Sequence, residues 1–224
     1  MIAIEQRALI VVSQLTQGIP ENQQWLYRFI EAAGRSVTEI TLKDDYAPDQ
    51  YRPLLDEMAT TGNLVDTLVE VGAVDGILAI DLFLLLHGSP DRLEFHDRSW
   101  YTPSMATTLA GLGLFPKLRL VYSTACYGAT HNDDFIQAGF KAAIGARGVN
   151  TNSAFELPML LNLWALGKNA RDALRLGDKP ATRRLADEAA KTYGRLGDMS
   201  WVKEVNSQKV LSGNAMLTIE SIYG

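Results

Sequence analysis

Cysteine is almost absent from this chain of 224 residues, in which Cys126 is the single cysteine. Histidine is also rare, with three residues. One cysteine cannot form an internal disulfide, which excludes a disulfide-stabilised scaffold and is typical of a reducing compartment. Long hydrophobic runs are also missing, because the most apolar stretch, residues 76–86, is interrupted by Asp81 and is far shorter than the roughly 20 residues of a membrane helix. The apolar run at residues 8–12 is too short for a signal peptide. We therefore expect a cytoplasmic protein with no membrane partner.

A large excess of charge of one sign is missing as well. The chain has 21 basic and 26 acidic residues, a net charge of −5, and no block of Lys or Arg. This balance argues against nucleic acid and anionic membranes as partners. An apolar share of 47% and a charged share of 21% exclude a disordered chain. The length is compatible with one domain over residues 1–224, large enough to fold without a metal.

Short apolar runs alternate with longer segments of helical periodicity. The runs predict strands at residues 8–12, 37–42, 77–86, 118–124, 142–146 and 210–219. The periodic segments predict helices at residues 25–33, 51–71, 103–112, 133–140, 155–166 and 170–193, and residues 93–96 predict one arm of a small hairpin. This alternation, with long crossovers, predicts an α/β domain whose mostly parallel, six-stranded sheet is covered by helices on both faces.

Two of the predicted strands end in chemically reactive residues. His87 follows one strand and Cys126 follows the next, and a glycine comes soon after each. Because catalytic groups in open parallel sheets collect beyond the carboxyl ends of the strands, both side chains would emerge at the same rim of the sheet if the two strands are neighbours. A thiol needs a base to take its proton, so the pair predicts nucleophilic catalysis. Taken singly, a buried Cys or His is more often a packing residue.

The order of the histidines excludes several cysteine and hydrolase schemes. An α/β-hydrolase or a glutamine amidotransferase needs a histidine well downstream of its nucleophile, but only His131 follows Cys126, in the adjacent turn. A cysteine-based phosphatase needs an arginine at the position of Asn132. Papain-like enzymes place the cysteine before the histidine. Only schemes with an upstream histidine remain.

An apolar strand followed by His87-Gly88, and then an apolar strand followed by Ala-Cys-Tyr-Gly at residues 125–128, resembles the caspase-like cysteine peptidases of clan CD. That group includes caspases, legumain, clostripain, gingipain, separase and the bacterial CHAT domains. The likeness continues through residues 135–145, which look like the CHAT-type helix, Ala-Gly and apolar strand. Residues 163–174 look like later helices of the same domains. The resemblance implies a caspase-like, three-layer α/β sandwich.

The resemblance also implies a reaction and a set of roles. Cys126 would be the nucleophile, and His87 would protonate the leaving amine or help to activate the thiol. The backbone N–H groups of Gly88 and Cys126 would form the oxyanion hole, where preorganised donors stabilise developing negative charge. The implied activity is peptide-bond hydrolysis through a thioester, with a polypeptide substrate and neither cofactor nor metal. The sequence leaves open whether the chain acts alone, forms a homo-oligomer or binds a regulatory protein partner.

Three further residues are candidates for substrate binding. Clan members that cut after Arg or Lys carry Asp two residues before the cysteine, where this chain has Thr124, which argues against basic specificity. Caspases carry Gln there, together with arginines that bind an Asp side chain, and Arg147 is a candidate for that role or an ordinary solvated arginine. Glu156 is a candidate for a substrate-channel loop or an ordinary acid in the first turn of a helix.

Two other classes of function stay open beside the peptidase. A catalytically silent relative would use the same fold as a binding or regulatory module. A flavodoxin-like or Rossmann-like nucleotide binder would share the sheet topology, but residues 13–20 contain no Gly-rich phosphate-binding pattern. A metal site built on His96 and His131 is disfavoured, because their spacing fits no compact ligand pattern. Both of these histidines are predicted to lie in surface loops.

Overall fold

A mixed sheet of eight strands organises the protein in this computed structural model, which describes residues 1–196 and 199–221. The strands are β1 (Arg7–Gln14), β2 (Tyr51–Leu55), β3 (Ala79–Ser89), β4 (Arg92–Glu94), β5 (Ser99–Tyr101), β6 (Leu118–Ser123), β7 (Ala142–Ala146) and β8 (Lys209–Gly213). Six strands lie side by side in the order β2-β1-β3-β6-β7-β8, and only the β7–β8 pair is antiparallel. The hairpin β4–β5 pairs with the end of β3.

The mostly parallel sheet is confirmed, but the predicted number of six strands is wrong. The sheet has eight strands because the last residues of β3 extend beyond the parallel core and pair with the antiparallel hairpin, through His87 opposite Glu94 and Ser89 opposite Arg92. The predicted hairpin arm at residues 93–96 corresponds to β4.

Helices pack on both faces of the sheet, as predicted. In the described residues they are α1 (Glu21–Leu42), α2 (Thr61–Ala73), α3 (Thr102–Ala110), α4 (Gly128–Gln137), α5 (Ser153–Ala165), α6 (Ala170–Gly177) and α7 (Pro180–Leu196). One buried cluster joins the sheet to α2, α3 and α4 through Leu68, Met105 and Phe135. The other joins the opposite face to α5 through Leu160 and Trp164.

Asp81, which interrupts the apolar run of β3, is completely buried in the centre of the sheet. Its carboxylate accepts hydrogen bonds from Tyr46 Oη at 2.6 Å and from Arg119 Nε at 3.2 Å. The Arg119 guanidinium also donates to the carbonyl of Ile219 at 2.7 Å. A buried ion is tolerated only when it is paired and fully hydrogen-bonded, so this network ties β3 and β6 to the C-terminal segment.

Two predicted elements near the N-terminus are wrong in type. The predicted strand at residues 37–42 is the second half of α1. Gly34 does not end the helix: α1 continues through it, and a Cβ added there would make only ordinary van der Waals contacts with Leu85 and Leu157. The predicted helix at residues 51–71 begins instead with β2, an edge strand that tolerates Pro53.

Other predicted elements differ in their limits. The predicted helix at residues 170–193 is two helices, α6 and α7, which are separated around Asp178. The predicted strand at residues 210–219 is shorter, because β8 ends at Gly213, whose φ of 82° lies in the left-handed region. The predicted helix at residues 133–140 begins earlier, at Gly128. The predicted strands at residues 8–12, 77–86, 118–124 and 142–146 are confirmed as β1, β3, β6 and β7.

Candidate active site

The carboxyl ends of β3 and β6 lie side by side, and each carries one residue of the predicted pair. The two strands are parallel, with Leu84 opposite Ser123, so His87 and Cys126 each stand three positions further along (87 − 84 = 126 − 123 = 3). A Cβ atom added to Gly88 would lie 3.0 Å from the carbonyl oxygen of Cys126. The expectation that these two strands are neighbours is therefore confirmed.

A strained turn connects Cys126 to the helix that follows it. Tyr127 has φ 57° and ψ 17°, a left-handed conformation that is uncommon for a residue with a side chain and is frequent at functional sites. The helix α4 begins at the next residue, Gly128, so the N-terminus of the helix, the positive end of its dipole, follows Cys126 by two positions in the chain. A positive dipole end of this kind favours the thiolate form of a cysteine.

The Cys126 sulfur, which is partly buried, is contacted by the loop that follows β7. The backbone N–H of Asn150 donates to Cys126 Sγ at 3.4 Å. The Asn150 side chain donates to the carbonyl of Thr124 at 2.8 Å, which fixes the loop against the end of β6. Asn150 has no role in the sequence-based predictions, which miss this contact. The position of the loop in the sequence could have indicated it, because the loop leaves the carboxyl end of β7, the strand next to β6.

His87 is held by the loop after β1 and by the helix α1. Its Nε2 lies 2.7 Å from the carbonyl oxygen of Leu15, and because a carbonyl only accepts, Nε2 carries the proton and Nδ1 keeps a lone pair. The ring of Tyr27 contacts the imidazole edge-on, with 5.3 Å between centroids. In the described part of the chain, no hydrogen bond joins His87 to Cys126.

Burial sets the protonation of both residues. It lowers the pKa of His87, so the imidazole is neutral at pH 7. It raises the pKa of the Cys126 thiol, although the N–H of Asn150 and the charge of Lys209 act in the opposite direction. The thiol therefore keeps its proton at neutral pH, and a neutral imidazole at the same edge of the sheet is the base that could receive it.

A buried charged cluster lies behind the cysteine. The ammonium of Lys209, on β8, donates to the carbonyl of Ser123 at 2.8 Å and lies 3.7 Å from Glu156 Oε2. Tyr122 Oη donates to the same carboxylate oxygen at 2.6 Å. Sequence reasoning missed Lys209, which stands one position before the predicted strand at residues 210–219. Only the pairing of β8 with β7 brings it near the cysteine.

The three candidate substrate-binding residues occupy different environments. Thr124 lines an apolar pocket between α1 and α5, next to the candidate dyad. Glu156 is fully buried, and its carboxylate faces Tyr122 and Lys209, so it does not line an open channel. Arg147 is exposed and lines a separate groove near α7. Of the three, the structure therefore places only Thr124 in a cavity beside His87 and Cys126.

His131 is also placed differently from its prediction. It is fully buried inside α4, where Nε2 lies 2.9 Å from the carbonyl oxygen of Ser89, and is not in a surface loop. His96 is half-buried, with Nδ1 3.3 Å from Gln14 Nε2. Within residues 1–196 and 199–221, no cluster of three or more His, Cys, Asp or Glu side chains could hold a metal ion.

Comparisons with known proteins give no further assignment. A scan against protein-family models finds no match to this chain. A search of curated proteins finds no significant relative. Among the helices that the structure describes, none has the length and apolar character needed to cross a membrane.

Proposed function

We propose that the protein is a cysteine endopeptidase that uses Cys126 as nucleophile and His87 as general base and acid. The observation that carries the proposal is the pairing of β3 with β6, which brings an imidazole and a thiol to one edge of a parallel sheet. The resemblance of the two strand-end motifs to caspase-like peptidases of clan CD supports the same reading. A polypeptide is the corresponding substrate.

The reaction follows from the protonation of the two groups. His87 Nδ1 accepts the thiol proton while Sγ attacks the carbonyl carbon, and the C–S bond forms as the carbonyl electron pair moves to oxygen. The resulting imidazolium then gives its proton to the departing amine as the C–N bond breaks, which leaves a thioester. Water activated by the neutral imidazole hydrolyses the thioester and restores the thiol.

Backbone donors are available for the oxyanion. In the described residues, the N–H of Cys126 makes no hydrogen bond to another residue, so it is free to donate to the developing charge. Gly88 brings its backbone into contact with Ala125 and Cys126, and any larger residue would force these strands apart.

The second candidate function is a catalytically silent binding module. The observation that favours it is that both reactive side chains already have other partners: His87 Nε2 contacts the carbonyl oxygen of Leu15, and Cys126 Sγ accepts from the N–H of Asn150. Catalytic hydrogen bonds are often absent in ligand-free enzymes and form only with substrate, so this geometry is also compatible with the peptidase. The experiment below separates the two.

The test is hydrolysis of a fluorogenic peptide library by the purified protein. We expect Cys126→Ala and His87→Ala to lower kcat/KM by at least about 1000-fold, because removal of either member of a catalytic unit disables it. The control His96→Ala should cleave normally, since His96 lies outside the site. Cys126→Ala should remain within about 1–2 kcal/mol of the parent in unfolding free energy. No cleavage of any peptide by the parent protein would leave the silent module as the function.

A further inference from the structure

A small apolar pocket lies beside the candidate dyad, between α1 and α5. Its volume is about 120 Å³, and its walls are mostly hydrophobic. They include Phe29, Ala33, Val37, Leu85 and Leu157. An apolar protein cavity of about 150 Å³ holds a benzene molecule, so this pocket has the size for one amino-acid side chain.

The pocket is connected to both reactive residues through its own walls. Thr124 lines it and stands two residues before Cys126, on the same chain segment. Leu15 also lines it, and the carbonyl oxygen of Leu15 lies 2.7 Å from His87 Nε2. When the carbonyl carbon of a bound peptide lies at the Cys126 sulfur, the side chain of the residue that carries this carbonyl can therefore reach the pocket.

One charged residue, Glu31, interrupts the apolar wall. Its side chain is almost completely buried, with 1% of the residue exposed. One carboxylate oxygen, Oε1, accepts a hydrogen bond from Ser13 Oγ at 2.9 Å. The other, Oε2, is buried without any hydrogen-bond partner among the residues that the structure describes. The nearby Arg35 is paired with Asp56 at 3.0 Å and does not occupy this oxygen.

A buried carboxylate oxygen without a partner is unfavourable, because folding removes its water and gives no hydrogen bond in return. A ligand that carries a hydrogen-bond donor is one partner that would satisfy such a group. Burial raises the pKa of Glu31, although the hydroxyl of Ser13, the charge of Arg35 and the backbone N–H of Leu15 act in the opposite direction, and a cation in the pocket would also favour the charged form. Because the other walls are mostly hydrophobic, a ligand that fits this pocket would carry its hydrogen-bond donor at the end of an apolar stem.

We propose that this pocket binds the side chain of the substrate residue that precedes the cleaved bond, and that Glu31 selects lysine there. This inference rests on the proposed peptidase function. The apolar walls hold the methylene stem, and Glu31 Oε2 accepts a hydrogen bond from the ammonium. Lysine fits better than arginine, because one free oxygen matches a compact ammonium, whereas a guanidinium requires several acceptors in one plane. Thr124 supplies no charge, so the selection depends on a residue of α1.

The first test compares peptides that differ only at this position, with lysine, its uncharged counterpart norleucine, arginine or glutamine. We expect the parent to prefer lysine over norleucine in kcat/KM by at least about 10-fold, since a buried polar group left unpaired penalises the analogue that lacks the donor. Glu31→Gln should lower cleavage after lysine at least about 10-fold and change cleavage after norleucine less than about threefold. The control Glu39→Gln removes the same charge from an exposed position of α1 and should retain the preference.

Glu31→Gln is suited to this test because its amide oxygen can still accept the hydrogen bond from Ser13. A preference for norleucine in the parent, or an unchanged lysine preference in Glu31→Gln, would overturn the inference.

The second test separates this inference from the peptidase proposal. Cys126→Ala protein is titrated by NMR with the N-acetyl methylamides of lysine and norleucine, alone and combined with Glu31→Gln. We expect tighter binding of the lysine compound, and loss of that preference in the combined variant. This result without any peptide cleavage by the parent would contradict the peptidase and keep the pocket assignment. Equal binding of the two compounds would overturn the pocket assignment even if peptides are cleaved.

Discussion

Burial acts in opposite senses on the two residues of the proposed dyad. It raises the pKa of the Cys126 thiol and lowers the pKa of His87, so both groups are neutral at pH 7. The resting pair is then a thiol beside an imidazole, and not a thiolate–imidazolium ion pair. Such a pair reacts when substrate binding directs the thiol proton to Nδ1. Lys209 opposes the effect of burial on the thiol.

The effect of Lys209 can be measured on the thiol itself. Lys209→Met should raise the pKa of Cys126 further, because the nearby positive charge is lost, and should slow alkylation by iodoacetamide at pH 8 at least about threefold. The rate is followed by mass spectrometry across a pH series.

Lys209→Met leaves Glu156 buried without its cation, so the double variant Lys209→Met/Glu156→Gln is measured in parallel to preserve the fold. The matched control is Lys203→Met, which removes the same charge from an exposed position. Its Cys126 should be alkylated at the same rate as in the parent. An alkylation profile of the double variant that superimposes on the parent profile would show that Lys209 does not act on the sulfur.

At the scale of elements, the position of Cys126 depends on how closely α4 and β7 pack. Gly128, the first residue of α4, lies against Gly145 of β7, and a Cβ at Gly145 would lie 2.2 Å from the carbonyl carbon of Gly128. Because backbone atoms of an ordered helix and a central strand yield little, no side chain fits between them. This contact fixes the turn through Tyr127 and thereby the sulfur.

Gly145→Ala should therefore lower the unfolding free energy by about 2–4 kcal/mol and slow any reaction of Cys126. The matched control is Gly62→Ala in α2, where nothing lies within 4 Å of the added Cβ. That substitution should stabilise the protein by about 0.5–1 kcal/mol, since alanine is the better helix former. Urea denaturation measures both effects. A Gly145→Ala protein as stable as the Gly62→Ala protein would contradict this packing.

The elements also show which parts of the fold the sequence could predict. The strands that lead to the reactive residues, β3 and β6, are mostly apolar, with one charged residue each (Asp81 and Arg119), because a central parallel strand is buried on both faces. The edge strand β2 lacks such a run, since only one of its five residues is buried. Residues 37–42 look like a strand because they alternate, but packing keeps them helical.

The residues of the candidate site also divide into those that the sequence could predict and those that it could not. His87 and Cys126 could be predicted because each comes shortly after the end of an apolar run in the sequence. Asn150, Lys209 and Glu31 could not, because their contacts join segments distant in sequence: Asn150 reaches Cys126 across 24 positions (150 − 126 = 24). A local pattern predicts which residues end a strand, whereas the residues that meet them depend on the order of the strands in the sheet.

At the scale of the whole molecule, buried histidines make the stability depend on pH. Burial lowers the pKa values of His87 and His131, so the folded protein keeps both neutral while the unfolded chain binds protons below its ordinary pKa of about 6.5. The stability due to these neutral groups is present above that value. It is lost as the pH falls from about 6.5 towards their lowered folded pKa values, by at most about 1.4 kcal/mol per pH unit for each histidine.

We expect His131→Gln to reduce this loss, because the variant removes one of the two groups. Glutamine can still donate to the carbonyl of Ser89 from inside α4. The measurement is the unfolding free energy of the parent and of His131→Gln at pH 7 and at pH 5.5. The change between the two pH values is compared in the two proteins, so that the contribution of the carboxylates with raised pKa values cancels. An equal change in the two proteins would contradict a buried, neutral His131.

The dependence of Cys126 labelling on His87 tests the central claim most directly. A peptidyl chloromethyl ketone is incubated with the parent, His87→Ala and His96→Ala proteins, and the rate of adduct formation on Cys126 is followed by mass spectrometry. The account predicts an adduct in the parent and in His96→Ala, and a rate at least about 100-fold lower in His87→Ala. Equal rates with and without His87, or no adduct on a Cys126 that iodoacetamide still alkylates, would contradict it.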